Sequence, residues 1–218
     1  MNRLTICMAL AGSLLISATG CTQPKAKVEH PIRKETNKFV TLEVQYPNVN
    51  PAKDDTSKTL LGKMTLELYR DVAPAHADSF LARVTDGFYN GTKFHRIIDA
   101  FMIQGGDPKG DGSGDAGYNL KAEFSQLPHQ DGTLSMARAN DPNSASSQFF
   151  ICLARNQGTA SLDGQYTIFG QLVNGFSVLH QIGKTPVVKT QWGEVSQPAN
   201  PVILKKAYVS DAEGKPLK

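Results

Sequence analysis

Apolar and polar positions alternate over residues 39–45 (FVTLEVQ) and again over 63–69 (KMTLELY), where Met64, Leu66 and Leu68 share one face. A period of two marks a half-buried strand. Between these runs, residues 46–61 (YPNVNPAKDDTSKTLL) are rich in Pro, Asn, Asp and Lys and read as a long surface loop. Over residues 71–87 the period changes. Pro74 suits a first helical turn, Ala77, Phe80, Leu81 and Val84 recur at i, i+3, i+4 and i+7, and Gly87 stops the run, which predicts a helix. Short apolar or alternating runs follow at 94–98, 101–104, 133–137, 148–153 and 166–173, separated by glycine-rich or polar joints. Phe176, Leu179 and Ile182 mark a second short helix, and residues 202–209 (VILKKAYV) a closing strand. Eight short strands and two helices without βαβ alternation have the rhythm of an antiparallel barrel or sandwich.

The first residues do not belong to that pattern. Arg3 gives a positive start, and residues 4–18 (LTICMALAGSLLISA) are apolar or small without a charge. This is short of the roughly 20 residues that span a bilayer but suits the core of a secretory signal. Ala18-Thr19-Gly20-Cys21 then resembles the lipobox of bacterial lipoproteins, in which the cysteine becomes the lipid-modified first residue; a plain signal peptide cleaved nearby is the alternative. Residues 22–38 (TQPKAKVEHPIRKETNK) carry prolines and charges without apolar periodicity, as a flexible tether does. The expected organisation is a leader over 1–20, a tether over 21–38, a folded domain over 39–212 and a tail over 213–218.

Composition narrows the function. The 218 residues are 40% apolar and 20% charged with a formal net charge of +3, an ordinary globular balance that gives no sign of a nucleic-acid binder. The three cysteines, Cys7, Cys21 and Cys152, are too few and too dispersed for a disulfide framework or a four-ligand zinc site. Residues 112–117 (GSGDAG) satisfy G-x-G-x-x-G, but Tyr118-Asn119-Leu120 follows instead of an apolar helix, so a turn-rich loop is the reading. Asp107, Asp111 and Asp115 imitate a calcium loop whose twelfth position would be Tyr118 rather than Glu. The five histidines lack zinc spacing, no G-x-S-x-G elbow surrounds a serine, and Cys152 sits in an apolar run. Neither a metal nor a cofactor is expected.

Unusual residues concentrate in three segments: FHRII at 94–98 with FMIQGGD at 101–107, LSMARA at 134–139, and SQFFI at 147–151. With GFY at 87–89, LDG at 162–164 and IFG at 168–170, they make the chain strongly resemble the cyclophilins over residues 39–209. The resemblance implies an all-β-dominated fold, a closed eight-stranded antiparallel barrel capped by two α-helices. It also implies peptidyl-prolyl cis-trans isomerase activity on proline-containing unfolded or flexible segments. Arg96 matches the family's catalytic arginine. Phe101, Met102, Phe150 and Leu162 match the proline pocket. Gln104 and Gln148 match its polar lining, Ala137 and Ala139 the room for substrate backbone, and Gly112 the loop beside a neighbouring subsite; Arg138 and Tyr166 complete the implied substrate-binding set.

Three departures matter. Ser161 stands where eukaryotic members often have Trp, Tyr166 where a pocket His is found, and Arg138 where Asn is common. They leave Arg96 and the pocket floor intact while predicting that any cyclosporin binding is weak. Joined to the leader, the resemblance predicts a monomeric isomerase anchored through Cys21 in a bacterial cell envelope, acting on exported proteins. A binding module of the same fold, with incidental turnover, is the second reading.

Overall fold

The computed structural model describes residues 37–49 and 59–217; the leader, Cys21 and most of the tether fall outside the described residues. The elements are β1 (Lys38–Pro47), β2 (Thr59–Leu68), α1 (Pro74–Thr85), β3 (Arg96–Ile98), β4 (Met102–Gly105), β5 (Thr133–Met136), β6 (Phe149–Cys152), α2 (Gln157–Ala160), β7 (Ile168–Asn174), α3 (Phe176–Gly183), β8 (Val187–Lys189), β9 (Val195–Pro198) and β10 (Ile203–Ser210). Among the described residues no helix is long and apolar enough to cross a membrane.

Strands β1 and β2 pair antiparallel from Lys38 opposite Leu68 to Pro47 opposite Thr59. Their alternation buries Val40, Leu42 and Val44 with Met64, Leu66 and Leu68. The loop expected over 46–61 is accordingly shorter at both ends. Tyr46 is held in β1 because its ring is buried and its hydroxyl donates to Gln181 Oε1 at 2.8 Å. Pro74 opens α1 as expected, but its N-cap Ala73 offers no side-chain acceptor. Glu123 fills that role from a distant loop, accepting from the Ala75 and His76 backbone N–H groups at 3.1 Å each and placing a carboxylate at the helix's positive end.

Eight strands form one antiparallel sheet in the order β10-β1-β2-β7-β5-β6-β4-β3, and β8 pairs with β9 as a separate ribbon. The sheet is a curled half-barrel, not the closed barrel expected. Its end strands β3 and β10 share no ladder, because β3 is only three residues long. The chain ahead of β3 meets β10 through single bonds instead, such as Gly91 N to Leu204 O at 2.7 Å and Leu204 N to Thr92 O at 2.9 Å. Among the described residues the helices number three rather than two: α2 is a four-residue turn closed by a capping box between Asn156 and Thr159, a signal too short to read as a period. Residues 213–217 turn back along β10, with Leu217 N donating to Val209 O at 3.0 Å.

Register decides where the chemistry falls. Ile97 lies opposite Ile103, Ile103 opposite Ile151, and Ile151 opposite Leu134; all four are buried in the main core with Phe80, Phe149 and Phe169. The next row is Arg96 opposite Gln104, Gln104 opposite Phe150, and Phe150 opposite Ser135. Because successive side chains point to opposite faces, this second row stands on the reverse of the core face. There a separate small cluster forms from Met102, Phe150 and Cys152, with Ile98, Phe101, Ala137, Leu162 and Tyr166 packed on it.

Candidate active site

That reverse-face cluster is hollow at its centre. A pocket of about 250 Å³ is lined by Arg96, Phe101, Met102, Gln104, Ala137, Arg138, Phe150, Leu162 and Tyr166, so nine of the residues singled out in the sequence meet around one space. A second hollow of about 270 Å³ adjoins it along Gln104, Ala137 and Arg138, and is walled further by Gly112, Ala139 and Gln148. Cys21 lies outside the described residues.

The floor is apolar and packed. Met102 and Phe150 are almost wholly buried. Tyr166 meets Phe150 edge to face at 5.8 Å, and His129 stacks beneath Phe150 at 5.9 Å. Leu162 reaches the rim from the turn after α2, where its N–H donates to Thr159 O at 3.1 Å. Asp163, next in sequence, ties that turn down by accepting from the His129 backbone N–H at 2.7 Å and from Arg155. Burial alone would raise the Asp163 carboxyl, but the Arg155 guanidinium and the His129 N–H groups hold it down at about 2. Ser161 is exposed and turns its hydroxyl to Gly158 O.

The polar side is a chain of side chains with fixed directions. Arg96 Nη1 donates to Gln104 Oε1 at 3.2 Å and lies 3.9 Å from Met102 Sδ. Gln104 Nε2 donates to Gln148 Oε1 at 3.0 Å, and Gln148 Nε2 donates to the carbonyls of Gly112 and Gly114 at 3.0 and 2.8 Å. The 107–114 loop that supplies those carbonyls is wound around the buried Asp107, whose carboxylate accepts from the backbone of Lys109, Asp111 and Gly112. Gly114 has no side chain because a Cβ there would enter Asp107 Oδ1. This is the turn-rich loop read from residues 112–117. Arg138 is also held: its guanidinium stacks 4.5 Å from the Tyr166 ring centre and donates to the carbonyls of Gln165, Ala139 and Asn140.

Two groups near the pocket have nucleophile chemistry in principle. Cys152 is buried and unpaired, and burial pushes its thiol up to about 12, so it stays protonated and unreactive. Asp163, His129 and Ser135 line up like a hydrolytic relay, with ring nitrogens 3.1 Å from Asp163 and 3.0 Å from Ser135 Oγ. Ser135 is wholly buried and donates to Thr167 O, leaving no path for a substrate to its oxygen. The set supports the floor. The pattern of the sequence does not reveal it, because its members meet only through the 130–133 turn into β5 and the turn after α2.

One partner of Arg96 was also hidden. Glu194 accepts from Arg96 Nε at 2.7 Å and from Nη2 at 2.8 Å, across 98 positions of sequence. Nothing in the spacing of residues 189–199 points to Arg96.

Comparison with known proteins places the chain in one family. The family described as cyclophilin type peptidyl-prolyl cis-trans isomerase/CLD matches residues 55–209. Peptidyl-prolyl cis-trans isomerase-like 1 of Mus musculus is 42% identical over 159 residues, covering 70% of this chain and 90% of its own. A peptidyl-prolyl cis-trans isomerase of Helicobacter pylori is 36% identical over 154 residues, covering 69% and 92%. Among solved structures, a cyclophilin type peptidyl-prolyl cis-trans isomerase of Cryptosporidium parvum superposes with a TM-score of 0.66 at 30% identity, over 80% of this chain and 98% of its own. A second structure of that protein, in the presence of the dipeptide Ala-Pro, gives 0.65 at 31% identity, over 79% and 99%.

Proposed function

The chain belongs to the cyclophilin-type peptidyl-prolyl cis-trans isomerases, and from that premise we propose that Arg96 is the catalytic group and the Phe101–Met102–Phe150–Leu162 pocket the seat of the substrate proline. The observation that carries this is one guanidinium fixed at the mouth of one apolar pocket, its Nη1 side turned to the pocket-lining Met102 and Gln104. The relative crystallised with Ala-Pro supports proline as the ligand class.

The chemistry asks little more. Rotation about an X-Pro bond breaks amide resonance, a barrier of about 18 to 20 kcal/mol. In the twisted state the nitrogen regains its lone pair and the amide loses dipole. An apolar floor therefore disfavours the planar ground state more than the twisted one, and a donor at the nitrogen or the neighbouring carbonyl adds a bond made mainly in the transition state. Arg96 has five N–H groups, of which Glu194 takes two and Gln104 one, leaving donors on Nη1 and Nη2 for substrate. A charge-assisted bond of about 1.5 to 3 kcal/mol is worth roughly ten- to a hundredfold in rate. No covalent intermediate forms.

Substrate backbone would run through the adjoining hollow, where Ala137 and Ala139 keep the wall low and Gln148 fixes the loop opposite. An unlabelled Ala-Pro peptide titrated into isotope-labelled protein tests the assignment: methyl and ring signals of Met102, Phe150 and Leu162 should shift, and shifts confined to other surfaces would refute it.

The apolar run ahead of Cys21 supports a finer reading, a lipid-anchored enzyme of a bacterial envelope acting on exported chains. The open rim at Ser161 and the Tyr166 substitution support weak cyclosporin binding.

A further inference from the structure

The ribbon of β8 and β9 is built to deliver one carboxylate. Its turn is closed by Thr190 N donating to Glu194 O at 2.7 Å and by Gly193 N donating to Thr190 O at 3.0 Å. Gly193 at φ +94 adopts the left-handed geometry that this turn needs and that a side chain would strain. Ala199 N donates to Pro186 O at 2.8 Å and ties the ribbon's base. Glu194, at the end of the turn, is oriented from both sides, because Ser196 Oγ donates to its Oε2 at 2.7 Å and its own N–H donates to Thr190 Oγ1 at 3.2 Å. Ser196 is buried although the ribbon around it is mostly exposed.

We infer that Glu194 is a positioning residue for isomerisation, holding the Nε–Nη2 edge of Arg96 so that the Nη1 side stays aimed into the proline pocket. The inference rests on Arg96 being the catalytic group. A flexible arginine at a pocket mouth would sample many rotamers, each lost on forming the transition state; a two-point carboxylate fork removes that freedom beforehand. Gln104 restrains Nη1 from the other side, so the guanidinium is held at both ends of its plane. Stability is a poor reason for the pair. Its side chains are 33% and 43% exposed, where ion pairs contribute little to folding.

The test is a double-mutant cycle on the full chain, with kcat and KM read separately on an Ala-Pro peptide. Glu194→Ala is expected to lower kcat about tenfold, equal to about 1.4 kcal/mol in the barrier, with KM changed less than about threefold and the thermal midpoint nearly unmoved. Glu194→Asp, which keeps the carboxylate on a shorter arm, should recover part of the loss. In an Arg96→Ala background, Glu194→Ala should cost nothing further. Unchanged or faster turnover in Glu194→Ala, or a loss that persists without Arg96, overturns the inference. If Arg96→Ala itself is harmless, the catalytic assignment fails, and this inference fails with it.

Discussion

His129 lies face to face with Phe150, ring centroids 5.9 Å apart and planes 13° from parallel, so that a buried imidazole forms the underside of the proline pocket. Its nitrogens are engaged by Asp163 and Ser135, which fixes the ring's plane and, through it, the height of the floor. Replacing it by Ala leaves a void under Phe150 and strands two polar partners. His129→Ala is expected to lower unfolding free energy by about 2 to 4 kcal/mol. Denaturant melts decide this; a change below about 1 kcal/mol would mean the stack does not support the floor.

Acid should weaken the fold in two stages. Burial holds His76, His95 and His129 below the ordinary value of 6.5, so below that pH the unfolded chain binds protons that the folded one refuses. Stability therefore falls as pH drops through 6.5. Backbone N–H groups hold Asp107 below 3.8 against the opposing effect of burial, and Arg155 and the His129 N–H groups hold Asp163 at about 2, also against burial. Their contribution is complete above the ordinary carboxylate range and is lost as pH falls toward the depressed values. Unfolding midpoints should be level between about pH 7 and 8, decline below 6.5 and steepen below 3.8; a flat or rising acid limb would contradict these assignments.

Leu162 touches the pocket from one side and is only half-buried, so its effect should be on substrate more than on fold. Leu162→Ala is expected to reduce kcat/KM about tenfold, the size of losing a few carbons of apolar contact. Peptide assays that show full activity would remove Leu162 from the proline seat.

Membrane attachment is a separate matter from catalysis. If Cys21 carries lipid, Cys21→Ser should move the protein from the membrane to the soluble fraction with peptide isomerisation intact. Retention in the membrane would contradict anchoring through that cysteine.

The elements legible in the sequence were those with enough repeats to show a period. Helices α1 and α3 fall on the Ala77–Phe80–Val84 and Phe176–Leu179–Ile182 stripes, and β1 and β2 on their alternation, because in each the core takes one face. The β8–β9 ribbon was illegible, since Val188, Trp192 and Val195 are exposed and leave no buried stripe to read. The lack of a β3–β10 ladder was equally invisible, because pairing between ends of a sheet leaves no mark on either strand's pattern. At the site, Arg96, Met102 and Phe150 were found only through a resemblance. Alone, alternation would have put Met102 and Phe150 in the main core, whereas register puts them on the reverse face. Glu194 had neither route. Its partner is 98 positions away, and only the fold brings the two carboxylate oxygens to the guanidinium.

The central claim, that one oriented guanidinium lowers the barrier over an apolar pocket, is tested most directly by kcat/KM for cis-to-trans isomerisation of an Ala-Pro peptide with native protein and with Arg96→Ala. The expected result is a loss of roughly ten- to a hundredfold, most of it in kcat, with the unfolding midpoint nearly unchanged. Equal rates for the two proteins would contradict it.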